Sequence, residues 1–334
     1  MVGLAATSSE AWAGRRVFVT GATGMVGSWL CRKLVDLHAN VCALVLDADR
    51  QSELFRNGTV NRVTVATGSL EDQACIERAI IAFEADTVLH LGAQTIVGTA
   101  DRSPAATFAT NVAGTWNVLE TCRIHADLVD RVVVASSDKA YGMQPDLPYR
   151  EDMPLDGIAP YEASKSCADL VSRSYAKTYG LPVTIARCGN IFGGGDLNWS
   201  RIVPGTIRSL IRGERPVLRS DGSFVRDYLH VDDVVDGYLA LAEAAVEPAL
   251  YGEAFNFSDE RPLTVWDIYE ATCAAFGARV EPDVRDSAIG EIHDQYLDSS
   301  RARNVLGWKP TTGLADGLKR TVAWYRDYFG VGAP

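Results

Sequence analysis

Val17-Phe18-Val19-Thr20-Gly21-Ala22-Thr23-Gly24-Met25-Val26-Gly27-Ser28 runs from a β-branched apolar stretch through three spaced glycines into a helix-forming segment. Strand, glycine turn and helix in that order predict the first βα unit of an open parallel sheet. Gly21 suits a tight turn, Gly24 lets backbone amides approach a pyrophosphate, and Gly27 lets the helix pack closely on the strand. Thr23, Met25 and Val26, interspersed with these glycines, are expected to contact the cofactor as well. About twenty residues on, after the apolar run Val41 to Leu46, stands Asp47. An acid there accepts hydrogen bonds from a ribose diol and repels a 2′-phosphate, which favours NAD over NADP.

Further short apolar runs, Thr87 to Leu91 and Arg131 to Ala135, alternate with helix-length segments. They lack in/out alternation, as expected of strands covered by helices on both faces. The predicted fold class is therefore α/β, a doubly wound parallel sheet over residues 14–185, with a smaller α/β lobe over 186–330 and some chain crossing back. Gly193-Gly194-Gly195, Pro204, Gly213, Pro216 and Gly222 punctuate that second, loop-rich part.

With 47% apolar residues the chain can build a large core, and 43 acidic against 32 basic residues, net −11, argue against nucleic acid as a partner. Met1 to Ala13 has neither a basic leader nor an apolar core, and no run approaches a membrane span, so a cytoplasmic protein is expected. Seven scattered cysteines and the histidines His38, His90, His125, His230 and His293 show no ligand spacing, and no metal is expected.

Tyr161-Glu162-Ala163-Ser164-Lys165 places Tyr161 and Lys165 one helical turn apart on one face. A neighbouring ammonium favours the phenolate, and Tyr161 then serves as a base for a hydroxyl proton while hydride leaves to a nicotinamide. Ser136-Ser137-Asp138-Lys139 follows the run Val132 to Ala135, at the strand end where open sheets place their ligands.

Together these motifs resemble the extended short-chain dehydrogenase/reductase family, in particular its nucleotide-sugar epimerases and dehydratases. The resemblance covers nearly the whole chain and rests on Gly21, Gly24 and Gly27; His90-Leu91-Gly92-Ala93-Gln94; Asn111-Val112-Ala113-Gly114-Thr115; Ser137 with Tyr161 and Lys165; and Arg187 with Asn190. It continues through Gly222, Arg226-Asp227-Tyr228, Val231-Asp232-Asp233 and Leu306-Gly307-Trp308. It implies a Rossmann domain holding NAD, contacted also by Ser69, Leu70, Leu91, Ala93, Gln94 and Asn111. It further implies a C-terminal lobe holding a nucleoside diphosphate sugar, with Gln94, Ser137, Asn190, Arg226 and Arg301 as substrate contacts, and a homodimer through a four-helix bundle.

Within the family, an acid after the Ser/Thr marks 4,6-dehydratases, and the Asp138-Lys139 pair is most like the CDP-glucose branch, as are Trp29, Gln94 and the tail Glu291 to Ala302. Ser69 stands where many relatives carry an aspartate, and Gly222 to Tyr228 looks more like the general epimerase pattern. The nucleotide thus stays open among CDP, GDP, dTDP and UDP. The expected chemistry is oxidation at C4 with Tyr161 as base, then loss of the C5 proton and of the C6 hydroxyl protonated by Asp138. Lys139 either takes the C5 proton in its neutral form, at a cost of about 4 to 5 kcal/mol, or stays charged and supports the enolate. The alternative is a C4 or C2 epimerase using the same Tyr161, Lys165 and Ser137.

Overall fold

The computed structural model describes residues 9–286 and 291–332. The first eight residues of the stretch read above for a leader lie outside them. Six strands come first: β1 (Arg16–Thr20), β2 (Asn40–Val45), β3 (Thr64–Thr67), β4 (Thr87–His90), β5 (Arg131–Ala135) and β6 (Val183–Cys188). Four short strands, β7 (Asn190–Phe192), β8 (Val217–Leu218), β9 (Val225–Arg226) and β10 (Tyr228–His230), precede β11 (Ala254–Phe257). The last three are β12 (Leu263–Thr264), β13 (Asp283–Val284) and β14 (Asp294–Gln295).

A seven-stranded, all-parallel sheet has the order β11-β6-β5-β4-β1-β2-β3. The order reverses between β1 and β4, and that switch point opens the crevice in which such sheets bind ligands. Alternate residues of β1 feed opposite cores. Val17 and Val19 pack on the face covered by the helices Met25–Asp36 and Val231–Ala244, whereas Phe18 packs on the other. That second face is closed by Gln73–Phe83, Gly114–Ile124 and Pro160–Tyr179. Each such buried side chain contributes about 1.5–3 kcal/mol of transfer free energy.

The expected boundary at 185 falls inside β6, which is continuous to Cys188. The chain leaves the sheet only there. It returns with the helix Val231–Ala244 and with β11, which pairs with β6 in the register Ala254↔Ile185. The smaller lobe has its own core of Val203, Ile207, Ile268, Leu318, Val322 and Tyr325, drawn from the helices Ile202–Ile211, Val265–Phe276 and Leu314–Phe329. Trp29 Nε1 donates to Gly194 O at 2.8 Å and Trp324 Nε1 to Glu53 at 2.7 Å, tying the lobe to the sheet domain. Among the described residues, no helix is long and apolar enough to cross a membrane and no cluster of metal-ligating side chains occurs.

Candidate active site

One cleft of about 1100 Å³ runs from the glycine loop to the smaller lobe. Its dinucleotide end is built on close backbone contacts. Gly21 has φ +69°, and a Cβ there would lie 2.7 Å from Gly92 N; a Cβ on Gly27 would lie 2.1 Å from Gly21 O. Both positions therefore exclude any side chain. Thr23, Gly24, Met25, Val26, Ser69, Leu70, Leu91 and Ala93 line the same end. Asp47 stands two residues beyond the end of β2, is exposed, and is not among the residues that line the cleft.

Two polar side chains fix the β4 end without facing the cleft. His90 bridges Thr20 Oγ1 at 2.8 Å and Thr115 Oγ1 at 3.0 Å, and burial, aided by the Lys165 charge, pulls its pKa down to about 3. It is a neutral structural imidazole. Asn111 lies in a single π-helical turn, Ala109–Ala113. Its amide accepts from Gln94 N at 2.7 Å and donates to Gln94 O at 3.0 Å and to Ser164 Oγ at 2.9 Å. Asn111 thereby sets the backbone of Gln94 against the helix that carries Tyr161. Neither Asn111 nor Gln94 lines the cleft.

That helix, Pro160–Tyr179, begins at a proline, whose missing N–H costs nothing at a first helical position. Tyr161 therefore sits in its first turn, where the helix field favours an anion. Tyr161 and Lys165 both line the cleft. Burial pushes the Tyr161 phenol up to about 12; Arg201 and a hydrogen bond with Ser137 act in the opposite direction. Lys165 Nζ is turned to Ala135 O at 2.8 Å, and Arg201 is the charge that draws the phenol's pKa down in this arrangement. Burial lowers the Lys165 pKa to about 8.

Ser137, Asp138 and Lys139 form the start of a 3₁₀ turn, Asp138–Tyr141, at the end of β5. Ser137 Oγ donates to Asp138 Oδ1 at 2.9 Å and accepts from Lys139 N at 3.2 Å. Asp138 Oδ2 is buried without a hydrogen-bond donor, 3.7 Å from Lys139 Nζ. Burial draws the Lys139 pKa down; Asp138 opposes that shift and Arg226 adds to it. All five expected catalytic side chains thus meet at one end of the cleft.

In the smaller lobe Asn190 and Arg226 also line the cleft. Arg226 is buried, and its guanidinium donates to Val225 O at 2.8 Å, to His293 O at 2.6 Å and to Ile292 O. Arg301 does not reach the cleft. It is held by Glu253 at 2.8 Å and Ala254 O at 3.2 Å over the Phe255 ring, beside β11 at the sheet's far edge. Arg187 is structural as well, fully buried in a bidentate pair with Asp169 at 2.8 and 2.9 Å.

Two further polar residues at the site, Arg201 and Gln295, carry no motif in the sequence, and Asp227 enters there only as part of the Arg226-Asp227-Tyr228 motif. Arg201 lines the cleft with Nη1 3.1 Å from Asp196. Asp227 is buried, accepts from Leu297 N at 3.0 Å and from Ser258 Oγ, and is pushed by burial to a pKa of about 7. Gln295 is fully buried against Asp138 and Lys139.

Residues 17–256 match the NAD dependent epimerase/dehydratase family. The chain belongs to that family. Among its relatives, the CDP-glucose 4,6-dehydratase of Salmonella typhimurium is 33% identical over 94% of this chain and 91% of its own. The dTDP-glucose 4,6-dehydratase of Streptomyces venezuelae, solved with NAD bound, superposes with a TM-score of 0.84 at 29% identity, covering 94% of this chain and 98% of that one. A UDP-glucose 4-epimerase of Thermotoga maritima, solved with UDP-glucose, also has a TM-score of 0.84, at 28% identity over 94% and 99%. The cleft fits the cofactor of an NAD-dependent family: Gly24 opens onto it with only Gly21 O near a Cβ position, at 3.2 Å, so a pyrophosphate can approach the helix amides.

Proposed function

We propose that this protein is a nucleoside diphosphate-hexose 4,6-dehydratase, with CDP-glucose as its first candidate substrate. The observation that carries the reading is the placement of Asp138 and Lys139 beside Ser137, Tyr161 and Lys165 on one wall of the cleft. C4 oxidation alone, which suffices for an epimerase, uses only the last three. NAD, which the glycine loop, Asp47 and Lys165 would hold, would supply a reversible store for the hydride and a positive charge that favours the phenolate.

The chain's own residues supply the rest. Tyr161 takes the C4 hydroxyl proton, Ser137 steadies the forming carbonyl, and Lys165 holds the ribose and supports the phenolate. A 4-ketone acidifies C5–H. Asp138, in its protonated form, gives its proton to the C6 hydroxyl, which leaves as water; the C5 proton passes to neutral Lys139, or to another base of the cleft where Lys139 stays charged and stabilises the enolate. Asp47 reads the cofactor ribose, while Gly21, Gly24 and Gly27 receive the pyrophosphate. Asn190 and Arg226 face the substrate diphosphate.

A homodimer through the helices Gly114–Ile124 and Pro160–Tyr179 is supported by their exposed apolar side chains Trp116, Ile124, Leu170 and Tyr179. Leu119 and Ala168, at the same helical spacing, are instead core residues of one subunit. The seven cysteines are unpaired and six are buried, which supports a reducing, cytoplasmic compartment.

The test is a proton spectrum of the product from CDP-, dTDP-, UDP- and GDP-linked sugars in turn. A new C6 methyl signal from one of them supports the dehydratase; a product with its C6 hydroxyl intact and one ring carbon inverted overturns it in favour of an epimerase.

A further inference from the structure

Gln295 lies on β14, whose partner β9 carries Arg226, and the two residues stand opposite each other in the parallel register. Its side chain is fully buried and crosses from the smaller lobe to the 3₁₀ turn at the end of β5. There its Oε1 accepts from Lys139 Nζ, and its Nε2 donates to Asp138 O at 3.1 Å. The orientation of the amide follows from chemistry: an ammonium offers only donors and a carbonyl only an acceptor, so the oxygen must face Lys139 and the nitrogen Asp138.

The segment bearing Gln295 is fastened on both sides. Arg226 donates to Ile292 O and His293 O ahead of it, and Asp227 accepts from Leu297 N behind it. Lys139 itself has four rotatable carbons and a fifth of its side chain open to the cleft. Left alone, such a side chain samples many rotamers. Tied to Gln295, its ammonium stands 3.7 Å from Asp138 Oδ2, the carboxylate oxygen that lacks a donor.

We propose that Gln295 is a positioning residue for elimination, holding Lys139 and the Asp138 backbone so that acid and cation keep a fixed geometry against the sugar. The proposal rests on the dehydratase reading above for its chemistry, though not for its contacts. A neutral amide also matters electrostatically. The charges facing Lys139 are Asp138 beside it, Arg226 on β9, Glu162 in the first turn of the Tyr161 helix, and Glu291. Gln295 adds an acceptor to this set without adding a negative charge, so burial is left to hold the ammonium's proton affinity low.

Two near-isosteric variants test this. Gln295→Met removes both hydrogen bonds while keeping volume; it should lower kcat at least tenfold, leave KM within about twofold, and let reduced nicotinamide accumulate because C4 oxidation is intact. Gln295→Glu keeps the acceptor but adds a charge; it should move the Lys139 titration, followed by the Cε–H NMR signal assigned with Lys139→Arg, upward by one pH unit or more, and shift with it the limb of kcat that Lys139 governs, the acid limb for a base and the alkaline limb for a cation. Parental kcat and pH profile in both variants, or a Lys139 titration unmoved by Gln295→Glu, overturns the proposal. The NMR titration needs no turnover. Should the parent yield an epimer, the dehydratase reading fails, and the titration still decides whether Gln295 holds Lys139.

Discussion

Lys139 Nζ lies 3.7 Å from Asp138 Oδ2, and that carboxylate oxygen, buried, has no hydrogen-bond donor of its own. In the protonated form that an acid requires, an Oδ2–H with no partner in the protein is free to donate to the C6 hydroxyl oxygen of substrate. The pair is thus arranged to move a proton at one carbon of a sugar and to hold charge at its neighbour.

Asp138→Asn should leave C4 oxidation in place and stall elimination, since Tyr161, Lys165 and Ser137 are untouched. Loss of a placed general acid costs about 10²- to 10⁴-fold, or about 3–5 kcal/mol of barrier. Reduced nicotinamide absorbance should build up on mixing with substrate. Parental turnover by the Asn variant would remove Asp138 from the chemistry.

Lys165 gives a pH dependence. Its pKa is lowered by burial from 10.5 to about 8, so the ammonium is present below that pH and is lost above it. The rate of C4 oxidation at limiting substrate should therefore fall above about pH 8. In Lys165→Arg, which stays charged, the residual activity should show no such fall. A parental profile level from pH 7 to 10 contradicts the assignment.

Asp227 predicts a stability effect of opposite form. Burial raises its pKa from 3.8 to about 7, so the folded protein keeps this proton where the unfolded chain has lost it. The resulting stabilisation is complete below about pH 4 and is lost as pH rises to about 7, in total about 4 kcal/mol. Asparagine cannot ionise. Thermal melts of Asp227→Asn and the parent should diverge in favour of the variant as pH rises through this interval, whereas parallel curves would show that Asp227 is ionised throughout.

The parts of this fold legible in sequence are those with local causes. β1, its glycine turn and its helix declare themselves because Gly21 and Gly27 answer contacts made within one βα unit, and β5 because Val132, Val133 and Val134 are buried on both faces. Tyr161 and Lys165 were legible as one helix face, and Ser137 to Lys139 as a strand end. The boundary near 185 was not, since β6 is completed by a strand that returns only at Ala254. Arg301 was misplaced for a similar reason: Glu253, which holds it, lies 48 residues away. Gln295 is not legible because a lone polar residue carries no pattern and its partner Lys139 lies 156 residues away; Asp227 stands in a legible motif, but its contact with Leu297 N, 70 residues on, does not show there.

The most direct measurement uses substrate deuterated at C4 and locates the label in the product. The deuterium should leave C4 and appear in the C6 methyl group, because the hydride removed beside Tyr161 returns at the carbon from which Asp138 has released the hydroxyl. Deuterium retained at C4 of a product whose C6 still bears its hydroxyl would contradict it.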